Sequence, residues 1–352
     1  MTIGIDTLPG PTETRMNDRY RLYGANGSPY SVKVRAAMRY RRLPFDWVLI
    51  DDRVAGVLRQ VKVPVIPILQ HPDGRLENDS TPLLLDLERR HAGRRIVPED
   101  PGLAFLVRLL EDMADEWATK LMFHYRWHDE VDQRYCAQWI ARDRLGPAGA
   151  EAIDAMARQF RDRQVGRMGL VGVQAENRPV LAECYRRVLA LLDAHLADAE
   201  YLFGDRPSLA DFAWYGQLWD LGIDPTPATI MRQTAPRVHP WLLRIDDLSG
   251  RQEGEWPAPD ATLSVAARGL LAMAGEVYLP FLLANARAVA QGSERFTVTL
   301  LGHEFSQAPF GYQAKCLRQL RELFAALPRE ARLRVEPVLE LAGCLAPLAT
   351  SH

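Results

Sequence analysis

Disulfide and zinc-finger chemistry have little to work with in this 352-residue chain: its four cysteines, Cys136, Cys184, Cys316 and Cys344, stand far apart with no Cys-x-x-Cys pair. Each reads as a small buried hydrophobe, and a reducing compartment, the cytoplasm, is expected. No run of about 18 apolar residues offers to span a bilayer. Met1 to Tyr20 also lacks the basic-then-apolar order of a signal peptide. A dominant charge is missing too. Lys plus Arg number 43 against 45 Asp plus Glu, a formal net charge of −2 with a pI near 6.5, and the two signs are interspersed. With no basic face there is no footprint for nucleic acid, so a small molecule or another protein is the expected partner, with no membrane involved. No internal repeat is visible.

What is present is ordinary globular material, 47% hydrophobic and 25% charged, long enough for two or three domains. Residues 1–19 read as a flexible tail. Tyr20 to Tyr23 is β-like, Ser31 to Tyr40 has helical spacing and Asp46 to Ile50 is again β-like, which predicts a βαβ unit with parallel strands. Val61 to Leu69 reads as a buried strand, Pro72-Asp73-Gly74 as a hairpin turn, and Ser80 to His91 as a helix opened by Ser80 and Pro82. From Pro101 the period becomes helical over Leu103 to Trp127, Val180 to His195 and Leu209 to Leu221. The stretch 128–178, broken at Gly146-Pro147 and Gly169 to Gly172, reads as a partly helical elaboration. Gln252 to Asp260 has linker chemistry. Beyond it a helix near Leu263 to Ala290, a strand over Arg295 to Leu301, and helices near Gln313 to Ala326 and Arg332 to Ala342 make a small appended α+β unit. The expected domains are therefore 20–95, 101–250 and 260–352.

Chemistry concentrates at the first βα turn. The strand ending in Tyr23 runs through Gly24-Ala25-Asn26-Gly27 into Ser28-Pro29-Tyr30-Ser31, a hydroxyl at a helix cap with proline in the first turn. Free N–H groups and the helix dipole favour an anion there, and a thiolate is an anion. A thiol of pKa near 8.5 lowered by about 2 units becomes an abundant nucleophile at neutral pH. By itself, though, a Ser-Pro start is only a cap. Val65-Ile66-Pro67-Ile68-Leu69 adds a proline inside a strand. A cis Ile66-Pro67 bond would turn the backbone of Ile66 outward to pair with an extended ligand, whereas an edge strand with a trans proline is the plainer alternative. Thirteen residues on, Asp79-Ser80 offers a carboxylate for an amine and a capping hydroxyl with free N–H groups for a carboxylate, which suits the two ends of an amino acid.

Together these pieces resemble the glutathione transferase family, whose members join a thioredoxin-like N-terminal domain to an all-helical domain. The resemblance covers residues 20 to 250 and includes Leu202 to Phe212, where Ser208 and Asp211 match the family's structural capping box. It implies an α/β thioredoxin-like domain plus an all-α domain, here with the α+β appendage. It also implies glutathione as co-substrate, no metal, a homodimer, and attack of the thiolate on an apolar electrophile. Carried onto this sequence, Ser28 activates the sulfur, with Ser31 as the alternative and Tyr23 and Tyr30 behind them. Ser28 precedes the proline, as in the serine-type members. Ile66 and Pro67 pair with the tripeptide backbone, and Asp79 and Ser80 grip the γ-glutamyl group. The electrophile pocket is expected between the domains on the first long helix, at Trp117, Leu121, His124 and Tyr125, although apolar residues at that spacing also suit a core. Glu116 and Arg126 receive no role, and His124 with His128 lacks a third metal ligand. Two other readings stand beside the enzyme: a non-catalytic binding or assembly protein on the same fold, and a transferase using another low-molecular-weight thiol.

Overall fold

Tyr20, Leu22 and Gly24 alternate inward along the strand β1 (Tyr20–Gly24), and the helix α1 (Pro29–Tyr40) packs its buried face against them. The computed structural model describes residues 19–51 and 54–349; the tail expected over 1–19 lies, apart from Arg19, outside the described residues. Strand β2 (Phe45–Leu49) pairs parallel to β1, with Leu22 opposite Trp47. Strands β3 (Ile68–Gln70) and β4 (Leu76–Asn78) complete a sheet of order β2-β1-β3-β4, antiparallel beyond β1, and α2 (Ser80–Arg90) follows. The hairpin turn falls at Pro72 to Gly74, where Gly74 takes φ 88°. Such a value suits a residue without a Cβ.

The strand predicted over Val61 to Leu69 is shorter in the structure. Ala55–Gln60 forms a 3₁₀ turn, Val63 and Val65 are exposed, and pairing begins only at Ile68. Pro64 and Pro67 supply the reason, since neither can donate to a ladder. The Ile66-Pro67 peptide is cis.

The helical part opens with α3 (Pro101–Met113), capped by Asp100, which accepts from the Leu103 N–H at 2.9 Å. It passes through a π-helical turn (Ala114–Ala118) into α4 (Thr119–Trp127). Helices α5 (Glu130–Leu145), α6 (Ala150–Val165) and α7 (Met168–Val171) occupy the expected elaboration, which is more helical than its composition suggested. Then come α8 (Arg178–His195), α9 (Leu209–Ile223), α10 (Pro225–Thr234) and α11 (Val238–Ile245), the last two not anticipated from the sequence. The capping box opens α9: the Asp211 N–H donates to Ser208 Oγ, and the Ser208 N–H donates to Asp211 Oδ2 at 2.8 Å. Nearly every residue of α9 is buried, and α1 lies directly against it at Gly216.

The appended unit holds α12 (Val265–Met273), a second π-helical turn (Ala274–Tyr278) and α13 (Leu279–Gln291). A hairpin of β5 (Phe296–Leu300) and β6 (His303–Gln307) follows, then α14 (Gly311–Ala325), α15 (Arg329–Leu341) and α16 (Leu345–Ala349). It shares one hydrophobic core with the rest of the chain, continuous from Tyr20 to Leu348. Phe324 stacks on Phe105 of α3 at 5.5 Å between ring centroids, and the Tyr278 hydroxyl donates to Asp112 at 2.6 Å. No unbroken run of about 18 apolar residues occurs in Val265–Gln291, which Arg268, Glu276 and Arg287 interrupt. By length and average composition alone that stretch could cross a membrane, its most apolar window having a mean hydropathy of 1.4, and 56% of that window is buried inside the fold.

Candidate active site

Ser28 caps α1 and remains partly exposed; its Oγ accepts the Ser31 N–H at 3.3 Å. That is a long bond, and it uses only a lone pair, so the hydroxyl proton is left to donate outward. The competing hydroxyls are engaged or enclosed. Tyr23 donates to Gln70 Oε1 at 3.2 Å, and Tyr30 donates to the Asp115 carbonyl at 2.8 Å. Burial holds the Tyr30 phenol well above its ordinary pKa, so it does not ionise near neutrality. Ser31 is 0% exposed with no partner for its Oγ, enclosed under Gly24, where an added Cβ would lie 2.8 Å from that oxygen.

The loop before Ser28 is fastened from the helical part. Asn26 donates through Nδ2 to Asp143 Oδ1 at 2.8 Å and accepts from Arg35 at 2.8 Å. Arg126 donates to the Gly27 carbonyl at 3.1 Å while its guanidinium is held by Asp220 at 2.9 Å and Asp224 at 2.7 Å. Burial disfavours the Arg126 charge, but those two carboxylates outweigh it and hold its pKa well above the ordinary value. Sequence reasoning gave Arg126 no role; an arginine amid an apolar helix was the available signal, without a visible partner.

At the far end of the site Asp79 precedes α2 at φ 79°, and its side chain makes no capping bond to the helix. The positive φ costs an L-residue about 1–3 kcal/mol, which the surrounding contacts must offset. Its Oδ2 instead accepts from the Tyr312 hydroxyl at 3.2 Å, so α14 of the appended unit reaches this carboxylate. Ser80 is buried beside it, its Oγ 3.5 Å from Asp115 Oδ2. Pro67 is buried and Ile66 partly exposed on the segment leading into β3.

Beneath these residues lies an ion cluster joining the two parts. Lys33 Nζ lies 2.6 Å from both Glu111 Oε1 and Asp115 Oδ2, and Thr81 bonds to Glu111 as well. Burial works against the Lys33 charge, yet the carboxylates outweigh it and raise its pKa; Glu111 is held below its ordinary value despite burial, chiefly by Arg108 and Lys33. Burial pushes Asp115 up. Lys33 thus bridges both carboxylates, and burial draws Asp115 toward protonation.

The four residues expected to line an electrophile pocket lie elsewhere in energetic role. Trp117, Leu121, His124 and Tyr125 are at most 7% exposed. Trp117 is enclosed by Phe281 and Phe305 of the appended unit, at 5.2 and 5.3 Å between ring centroids, and Tyr125 by Tyr185 at 4.8 Å. Side chains without accessible surface line no open cavity, so the helical spacing here marks core. The appended aromatics that fill this face were not connectable to it by spacing alone. A cavity of about 670 Å³ does open between Trp47, Leu49 and Val54 on one side and Asp143, Leu145 and Pro147 on the other, and its Asp143 is the residue that holds Asn26. His124 and His128 pack ring against ring at 4.8 Å between centroids, and His128 Nε2 accepts from Arg178 at 3.0 Å. Among the described residues, one group, His71, Glu77 and Asp86, has metal-like spacing, but Arg75 and Arg90 already pair with its carboxylates.

Comparison with known proteins gives two domain matches. The glutathione S-transferase N-terminal domain matches residues 22–95 and the glutathione S-transferase C-terminal domain matches 137–244, together about half of the chain. The second match begins inside the stretch read as an elaboration. Among solved structures, a glutathione S-transferase from Methylobacterium radiotolerans JCM 2831, in complex with glutathione sulfonate, is 24% identical, covers 68% of this chain and 96% of its own, and has a TM-score of 0.42. A beta-etherase from Sphingobium sp. strain SYK-6 is 20% identical over 64% of this chain and 94% of its own, at a TM-score of 0.45. A glutathione S-transferase from Methylobacillus flagellatus KT with glutathione bound is 23% identical over 64% and 92%, at 0.37. Among curated proteins compared by sequence, none matches.

Proposed function

Because this chain belongs to the glutathione S-transferase family, we propose that it activates glutathione at Ser28 and directs the thiolate at the electrophilic carbon of an apolar substrate. The observation that carries this reading is the state of the four hydroxyls around the first βα turn. Ser28 is partly exposed and its Oγ only accepts, leaving its proton unspent, whereas Tyr23 and Tyr30 donate within the protein and Ser31 is enclosed. One charge-assisted hydrogen bond from Ser28, added to the α1 dipole, accounts for a thiol pKa lowered by about 2 units. In this reading the backbone of Ile66 beside Pro67 takes the tripeptide backbone, and Asp79 and Ser80 take the γ-glutamyl group. The domain division at 95–101 and 251–260, a cytoplasmic setting and the homodimer belong to the same proposal; four buried, unpaired thiols fit a reducing compartment.

The test is conjugation of glutathione to an activated aryl halide. Ser28→Ala should lower the rate about 100-fold at neutral pH and raise the apparent thiol pKa by about 2 units. Ser31→Ala should leave both unchanged. A Ser28→Ala enzyme with wild-type rate and thiol pKa ends the assignment. The enclosure of Trp117 by Phe281 and Phe305 favours a second reading, a binding or assembly protein with no open electrophile pocket on that helix. Calorimetry separates the two, because that reading predicts no heat with millimolar glutathione and a stable protein complex. A panel of other small thiols in the conjugation assay tests whether glutathione is the thiol used.

A further inference from the structure

The appended unit meets the candidate thiol site through Tyr312, and the contact is built rather than incidental. Asn285 of α13 is fully buried and clamps the backbone of Phe310 from both sides, donating to its carbonyl at 3.0 Å and accepting its N–H at 2.8 Å. Gln313, also buried, accepts from Gln307 Nε2 at 3.3 Å. These two anchors fix the first turn of α14 between them. Tyr312 stands in that turn, 38% exposed, with the Lys315 ammonium 5.3 Å over its ring, and its hydroxyl meets Asp79 Oδ2 at 3.2 Å across 233 positions of sequence.

Asp79 needs such a partner. Its side chain makes no capping bond to the N–H groups of α2, and its backbone sits at φ 79°, so among the described residues no bond to its own helix orients the carboxylate. A hydroxyl that donates to one oxygen leaves the other free and fixes where it points. We propose that Tyr312 is a positioning residue of the thiol site: through its hydroxyl the appended unit orients the Asp79 carboxylate toward the α-ammonium of the bound γ-glutamyl thiol and so contributes to selecting thiols that carry that group. The inference rests on the glutathione reading above. It gives residues 252–352 a part in ligand choice as well as in packing.

The experiment is calorimetric titration of the full-length protein and of Tyr312→Phe with two probes, glutathione and glutaryl-cysteinyl-glycine, the analogue that lacks only the α-ammonium. Tyr312→Phe keeps the ring and removes the bond. Glutathione binding should weaken about fivefold, the effect of one lost hydrogen bond, while the analogue binds wild type and Tyr312→Phe alike. Asp79→Asn, which keeps the shape and removes the charge, should weaken glutathione further and make Tyr312→Phe silent in its background. If wild type takes up no glutathione, the function reading fails and the inference with it. If wild type binds glutathione and Tyr312→Phe binds it equally, the inference alone is overturned. An equal loss for both probes assigns Tyr312 a merely structural role and overturns it as well.

Discussion

The guanidinium of Arg126 donates to the carbonyl of Gly27 at 3.1 Å from inside a buried cage of Asp220 and Asp224. The residue before the candidate catalytic serine is therefore held by the helical part of the chain. Removing one partner of a buried ion group leaves uncompensated charge, at a cost of about 3–5 kcal/mol. Arg126→Met should lose about that much in urea unfolding. It should also speed hydrogen exchange at Asn26 and Gly27 more than at the outer strand β4. A loss below about 1 kcal/mol would show that the cage does not support the loop.

Gly216 gives a second, backbone-level connection. A Cβ there would stand 2.4 Å from the Pro29 carbonyl and 3.1 Å from the Lys33 Cβ, closer than atoms approach, and the first obstacle is rigid helix backbone. Gly216→Ala must push α9 away from α1 at the residue following Ser28. We expect a loss of about 1–3 kcal/mol by denaturant titration and a rise in the apparent pKa of bound thiol, since the α1 terminus moves. Unchanged stability would mean that the helices separate freely.

The N-terminal domain and the start of α9 were largely legible because their signals are local. Ser28 and Pro29 start a helix, Pro72 to Gly74 make a turn, and Ser208 with Asp211 close a capping box through bonds spanning three residues. The sequence also supplied the Asp79-Ser80 pair by its spacing from Pro67. What it could not supply were partners distant in the chain. Arg126 with Asp224, Lys33 with Glu111, and Tyr312 with Asp79 are separated by 98, 78 and 233 positions, and no period or motif links them. The same limit turned Trp117 and Tyr125 into expected pocket residues: helical spacing reports that a face is apolar, and only tertiary structure says whether protein or ligand covers it.

His124 makes acid stability testable. Burial, then the neighbouring His128 and Arg178, push its pKa from 6.5 down to about 4. A base with a depressed native pKa binds fewer protons folded than unfolded between those values. Its contribution is therefore intact above pH 6.5 and is lost as pH falls toward 4, by about 3 kcal/mol at most. Thermal midpoints of the wild type should fall through that window. His124→Gln, which cannot titrate, should flatten the fall, and an identical pH profile for the two proteins would assign the acid sensitivity to other groups.

The appended unit should be inseparable from the fold. Trp117 is 0% exposed because Phe281 and Phe305 enclose it, Phe105 is covered by Phe324, and Asp112 and Asp100 are bonded by Tyr278 and Arg334. A chain ending at Arg251 would present those aromatic faces to water and remove the Tyr278 bond to Asp112 and the Arg334 bond to Asp100. At about 25 cal/mol per Å² of apolar surface, and 150–250 Å² for each large aromatic, the two uncovered rings alone amount to about 10 kcal/mol, comparable to the whole stability of a domain. Such a truncation should aggregate, or bind hydrophobic dye and melt without cooperativity. The milder variant Trp117→Ala should lose about 3–5 kcal/mol yet remain cooperative. If residues 1–251 instead form a soluble monomer or dimer with a sharp thermal transition, the helix α3 and the Trp117 turn do not depend on this cover, and the unit is an independent attachment.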